Sequence, residues 1–156
     1  MKILLIGRGR MGRLIEQTAG AMGDTVVAAV GRDGLASLDT LDTEADVVMD
    51  FSSPAALSAV AAYVRRTGTP LLSGTTGYTP EQMKTFDHLG QFAPVLHSAN
   101  FSVGIAVLRR VLEQISDVLR PDFDIEIVET HHNQKADAPS GTAKLLLEAI
   151  DPRHEL

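Results

Sequence analysis

The chain has 156 residues, 44% of them apolar and 22% charged, with 14 Lys and Arg against 20 Asp and Glu, for a net charge of -6. That balance belongs to a globular protein and argues against nucleic acid or an anionic membrane as the main partner. The absence of cysteine removes disulfides, thiolate metal sites and any thiol nucleophile.

"KILLI" (2–6) is a short aliphatic run ended by glycine, which predicts a strand buried on both faces of a parallel sheet and not a secretory leader. "RMGRLIEQTAGAM" (10–22) carries Met11, Leu14, Ile15 and Thr18 at helical spacing, with Gly20 and Gly23 near its end. Strands follow at 25–30 and 45–51. Next comes a helix over 53–68, with Ser53 as cap, Pro54 in its first turn and Gly68 at its end. A strand at 70–74, a helix at 79–91 and a strand at 93–98 repeat the rhythm. Alternating strands and helices predict an α/β fold with a doubly wound, Rossmann-like parallel sheet over residues 1–100, its ligands bound at the carboxyl ends of the strands.

After Asn100 the pattern changes. Residues 101–119 read as one longer amphipathic helix with Ile105, Leu108, Leu112 and Ile115 on one stripe, stopped by Pro121. "DFDIEIVET" (122–130) alternates apolar and acidic residues, which predicts a strand with one dry and one wet face. The start of a second, α+β domain is therefore expected over 101–156. No apolar run is long enough to cross a bilayer, so the cytoplasm is the expected location.

"GRGRMG" (7–12) is a G-x-G-x-x-G directly after a strand and opening a helix. Gly7 allows the tight turn, Gly9 lets a pyrophosphate approach the backbone, and Gly12 lets the helix pack closely, while Arg8, Arg10 and Met11 flank the same seat. The alternative is a glycine-rich turn with no ligand. A nicotinamide dinucleotide site often carries an acid at the end of the second strand; here "AAVGRD" offers Gly31 and Arg32, and Arg32 is suited to a 2′-phosphate. That favours NADPH, or tolerance of NADPH and NADH. A solvated surface arginine is the competing reading. "DFSSP" (50–54) and "SGTTGY" (73–78) end the next two strands and fit the same crevice, or serve only as turns.

"ETHHNQKADAPSGTA" (129–143) places two histidines, a lysine and a new helix start together. Adjacent histidines at a strand end point in different directions, which argues against one metal ion held by both; no metal site is expected. Ser140 is the candidate N-cap, and Gly141, Thr142 and the free N–H groups there suit a carboxylate. An acid/base histidine, an ammonium and an anion seat are the parts needed to hold an anionic substrate and deliver a proton to it. Plain surface histidines beside a common helix start are the alternative.

This last segment closely resembles the E-x-H-H-x-x-K-x-D-A-P-S-G-T-A signature of bacterial dihydrodipicolinate reductases. "GRGRMGR" (7–13), "DFSSP", "SGTTGY" and "SANFSVG" (98–104) occur in that family's order. The resemblance implies an oxidoreductase that reduces 4-hydroxy-tetrahydrodipicolinate, a small cyclic dicarboxylate, in lysine and diaminopimelate biosynthesis, using NADPH or NADH. It implies proton transfer by His131 and Lys135, and substrate carboxylates held by His132, Lys135, Gly141 and Thr142. Gly7 to Gly12 would hold the pyrophosphate, Gly74, Thr75 and Thr76 the nicotinamide side, and Ala99, Asn100, Phe101 and Ser102 the nicotinamide and the hinge. Glu129 and Asp137 are expected beside His131 and Lys135. The family forms homo-oligomers, tetramers at full length, and its members run beyond residue 156. A semialdehyde dehydrogenase is disfavoured by the missing cysteine; a non-catalytic dinucleotide-binding module is the rival from another class.

Overall fold

The computed structural model describes residues 1–131, 133 and 138–151. The chain divides into two compact units, Met1–Ser98 and a second from Ala99 onward.

The first unit is a five-stranded sheet. β1 (Lys2–Ile6), β2 (Thr25–Val30), β3 (Val47–Asp50), β4 (Leu71–Ser73) and β5 (Val95–His97) lie in the order β2-β1-β3-β4-β5, and all pairs are parallel. β1 explains the arrangement. Its side chains alternate between two cores: Ile3 and Leu5 pack with Ala19 on one face, while Leu4 and Ile6 pack with Val48, Val60, Val64 and Phe86 on the other. All four are at most 2% exposed. Complete burial of one such side chain contributes roughly 1.5–3 kcal/mol, so an uninterrupted aliphatic run is what a strand covered on both faces requires.

α1 (Arg10–Ala21) covers the first face, burying Gly12 and Ala19, with Ile15 packed beside them. Met11 and Leu14 are 49% and 55% exposed, so the buried line is the small-residue one. A side chain at Gly12 would collide with the Gly7 carbonyl, and its absence lets α1 sit close to the turn that precedes it. α2 (Leu57–Thr67), α3 (Pro80–Leu89) and a 3-10 segment (Arg32–Asp39) cover the other face. That 3-10 segment lies where no element was expected. α2 is preceded by a 3-10 turn (Pro54–Ala56), and the Ser53 side chain makes no capping bond, contrary to expectation; Pro54 already fixes the entry. Gly68 ends α2 in the left-handed region at φ +69°. Thr79 and Gln82 cap α3 reciprocally, with Thr79 N–H donating to Gln82 Oε1 at 3.0 Å and Gln82 N–H to Thr79 Oγ1 at 3.2 Å.

The second unit contains α4 (Val103–Leu119) packed on α5 (Gly141–Ile150). Arg120 joins the ends of the two helices: it donates to the Ile150 carbonyl and, at 3.2 Å, to Asp151 Oδ1. On the expected stripe of α4, Ile105 and Leu112 are half-buried, while Leu108 and Ile115 are 43% and 40% exposed. The strand expected over 122–130 is not formed. Its alternating sequence sets out two faces, but a strand exists only through a ladder to a neighbour, and the described residues supply none. The argument that successive residues point His131 and His132 apart falls with it. No helix among the described residues is long and apolar enough to cross a membrane.

Candidate functional site

The order β2-β1-β3 reverses direction at β1, and a crevice opens there at the strands' carboxyl ends. A cavity of about 480 Å³ occupies it, lined by Gly7, Arg8, Gly9, Arg32, Phe51 and Ser52 among others. Gly7 has φ +103°, and any side chain on it would collide with the Phe51 carbonyl. Gly9 has nothing within 4 Å of its missing Cβ, so the backbone is open to a ligand at that point. Gly9 is also the N-cap of α1, and no side chain caps that end. A bare helix N-terminus beside an open glycine, with two arginines on the rim, fits a dinucleotide's phosphates in shape and charge. Another depression of the first unit, about 360 Å³ and lined by Lys2, Asp42, Glu44 and Asp46, lies at the amino ends of the strands, and its carboxylates would repel phosphate.

The expected ligand residues are thus only partly gathered. Gly7, Arg8, Gly9 and Arg32 line one cavity; Arg10 and Met11 are exposed at the start of α1, and Gly12 is buried beneath it. Gly74, Thr75 and Thr76 do not line the cavity, yet they are tied to it. A side chain at Gly74 would strike the Phe51 ring, and Thr75, 3% exposed, accepts through Oγ1 from Ser52 N–H at 2.8 Å.

Below these turns the clusters "DFSSP" and "SGTTGY", read from sequence only as crevice or turn residues, are joined by a buried network. Asp50, at the end of β3, is 1% exposed. Its Oδ1 accepts from Ser52 Oγ at 2.5 Å, and its Oδ2 accepts from Ser73 Oγ at 3.2 Å and from the Tyr78 hydroxyl at 3.1 Å. Burial pushes the Tyr78 phenol up to about 12, so it remains a donor. Tyr78 packs edge-on to Phe86 and His97, and the Phe86 and His97 rings stack at 4.8 Å. His97 Nε2 faces the Thr75 carbonyl at 3.1 Å, a contact that requires the proton on that nitrogen. The available signal was an acid closing an otherwise apolar buried strand, since a buried carboxylate must find donors.

In the second unit, Asn100 connects two of the expected positions: its Nδ2 donates to Thr142 Oγ1 at 2.8 Å, and its Oδ1 accepts from Ser102 N–H at 2.7 Å. Ala99 is half-buried and Phe101 exposed beside it. Ser140 caps α5 as expected, accepting from Ala143 N–H at 3.0 Å. Glu129 sits on this cap, accepting from Ser140 N–H at 2.7 Å and from Ser140 Oγ at 2.5 Å. The same carboxylate meets His131 Nε2 at 2.8 Å. Bonding to Ser140 first, and to His131 second, holds Glu129 down to about 2, well below its ordinary 4.5. An anion therefore already occupies part of the α5 N-terminus, next to Gly141 and Thr142 in the first turn. His132, Lys135 and Asp137 lie outside the described residues. Among the described residues no group of three or more His, Asp or Glu is placed to hold a metal ion.

Residues 1–101 match the family model for the N-terminus of dihydrodipicolinate reductase, and residues 104–155 match the model for its C-terminus. The chain is 43% identical to the 4-hydroxy-tetrahydrodipicolinate reductase of Exiguobacterium sp. strain AT1b, over 100% of this chain and 64% of that protein. It is 42% identical to the enzyme of the same name from Clostridium novyi, over 93% of this chain and 62% of the relative. It thus spans a little under two thirds of the length of these relatives. A dipicolinate-bound dihydrodipicolinate reductase from Paenisporosarcina sp. TG-14 shares the fold, with a TM-score of 0.67, 22% identity, and 97% of this chain and 66% of that one covered.

Proposed function

The chain belongs to the dihydrodipicolinate reductase family, and from that premise we propose that it reduces 4-hydroxy-tetrahydrodipicolinate to tetrahydrodipicolinate with NAD(P)H, in lysine and diaminopimelate biosynthesis in the cytoplasm. The observation that carries this reading is the cradle at β1 and α1: an open Gly9 backbone at an uncapped helix N-terminus, bordered by Arg8 and Arg32. Gly7 to Gly12 would hold the pyrophosphate. Gly74, Thr75 and Thr76, with Ala99 to Ser102, would border the nicotinamide. The bound dinucleotide supplies a hydride; the chain's own residues bind, orient and move protons.

Loss of the substrate hydroxyl as water consumes one proton, and His131 and Lys135 are the proposed donors. Glu129 fixes the orientation of the His131 ring, because the carboxylate is itself pinned to the Ser140 cap. Gly141 and Thr142 at the start of α5, together with His132 and Lys135, would receive the substrate carboxylates. The dipicolinate bound by the Paenisporosarcina neighbour, a flat ring dicarboxylate, is the ligand type this assignment calls for. Arg8 and Arg32 together favour the 2′-phosphate of NADPH over NADH. The working form is a homo-oligomer, tetrameric at the full length of the family.

The test is NAD(P)H oxidation with enzymatically generated hydroxy-tetrahydrodipicolinate, paired with cofactor titration. His131→Ala should lower kcat by roughly a hundredfold or more while leaving cofactor affinity intact. Arg32→Ala should weaken NADPH roughly tenfold and NADH by less than about twofold. Undiminished turnover in His131→Ala would defeat the proton-transfer role. Dinucleotide binding without turnover in the unmodified chain would favour a cofactor-binding module instead.

A further inference from the structure

We propose that Asp50 is a positioning residue that locks together the two turns facing the dinucleotide, and so sets the nicotinamide half of the cofactor against its adenine half. The inference rests on the dinucleotide reading of the first unit.

Residues 50–52 touch both turns. On one side the Phe51 carbonyl abuts Gly7, leaving no room for a side chain there. On the other, the Phe51 ring fills the space beside Gly74, Gly74 N–H donates to the Asp50 carbonyl at 2.8 Å, and Ser52 N–H donates to Thr75 Oγ1 at 2.8 Å. The short segment after β3 is therefore the spacer between the glycine turn after β1 and the turn after β4. The Asp50 carboxylate fixes that spacer at three points, Ser52, Ser73 and Tyr78, the last of which closes the far end of the 73–78 turn.

The choice of residue also argues for a positional role. Among the described residues no Lys or Arg pairs with Asp50, and hydroxyls alone satisfy it. A buried carboxylate held this way is a poor route to stability, because its desolvation opposes what the bonds return. It is a good route to a single geometry, since three donors around one rigid group admit few alternatives. A cofactor that spans two turns gains affinity from having their separation fixed before it binds.

The experiment uses the whole chain and two ligands: NADPH, which spans both turns, and 2′,5′-ADP, which carries only the adenine end. Tyr78→Phe keeps the ring on Phe86 and His97 and removes one donor; Asp50→Asn keeps the shape and removes the charge. Each should raise the Kd for NADPH roughly tenfold while changing that for 2′,5′-ADP by less than about twofold. A folded variant with unchanged NADPH affinity, or an equal loss for both ligands, would overturn the proposal and leave Asp50 a structural residue. Tyr78→Phe carries the test should Asp50→Asn fail to fold. An unmodified chain that binds neither ligand would overturn the dinucleotide reading itself, and the spacer role with it; one that binds both before substitution keeps the two failures apart.

Discussion

The two units treat their apolar residues in opposite ways. In the first, Leu4, Leu5, Ile6, Val60 and Val64 are at most 1% exposed, enclosed between helices on both faces of the sheet. In the second, Leu108 and Ile115 on the expected stripe of α4 are 43% and 40% exposed, and Phe123 and Ile127 in the following segment 63% and 37%. Both stretches read from sequence as faces of a core. The difference shows that apolar periodicity records which side of an element is meant to be dry, whereas burial also needs a second surface. A parallel sheet with crossover helices supplies that surface within its own chain segment; an alternating segment beside two helices does not.

The strongest test of this contrast makes the same substitution in both units. Gly12→Ala sets a methyl group against the Gly7 carbonyl, which is backbone and has little room to yield. It should destabilise the first unit by roughly 3 kcal/mol or more and abolish dinucleotide binding. Gly104→Ala adds a methyl in ordinary contact with Ser102 inside α4, so it should stabilise by roughly 0.5–1 kcal/mol. Urea unfolding of the two variants measures both signs. Equal destabilisation by the two would break the comparison.

A truncation pair sharpens the same point at intermediate size. Leu4→Ala empties a site that is 0% exposed and should cost about 2–5 kcal/mol. Val118→Ala, at 74% exposed, should fall within about 0.5 kcal/mol of the unmodified chain. A large loss from Val118→Ala in the isolated chain would mean that α4 is covered after all.

The smallest effect is electrostatic and confined to the second unit. Glu129 is held at about 2 against an ordinary 4.5, so ionised Glu129 favours the folded state. Its contribution is complete above the ordinary carboxylate value and is lost as pH falls from about 4.5 toward about 2. The side chain is 27% exposed, and solvent moderates the effect. Melting curves across that range should show an acid-dependent loss in the unmodified chain that Glu129→Gln lacks. An identical pH slope in both would remove Glu129 from its place on the α5 cap.

The first unit was legible almost throughout, because its strands are short apolar runs and its helices carry local starts or stops: Pro54 and Gly68 for α2. The close packing at Gly7 and Gly12 was legible for the same local reason, since both act where β1 turns into α1. The Asp50 network was not. Its partners Ser73 and Tyr78 stand 23 and 28 residues away, and only the β3–β4 register, Asp50 opposite Ser73, brings them together. The 122–130 strand was misread because alternation specifies faces and says nothing of a ladder partner. The link from Asn100 to Thr142 spans 42 residues and left no local trace.

β1 lies within the first six residues of the chain and is bonded on both flanks, to β2 and to β3. β1 is therefore an interior strand, and its pairing is complete only once the chain has reached residue 50, where β3 ends. Withdrawing β1 would not fray an edge: it would split β2 from β3 and divide the sheet in two.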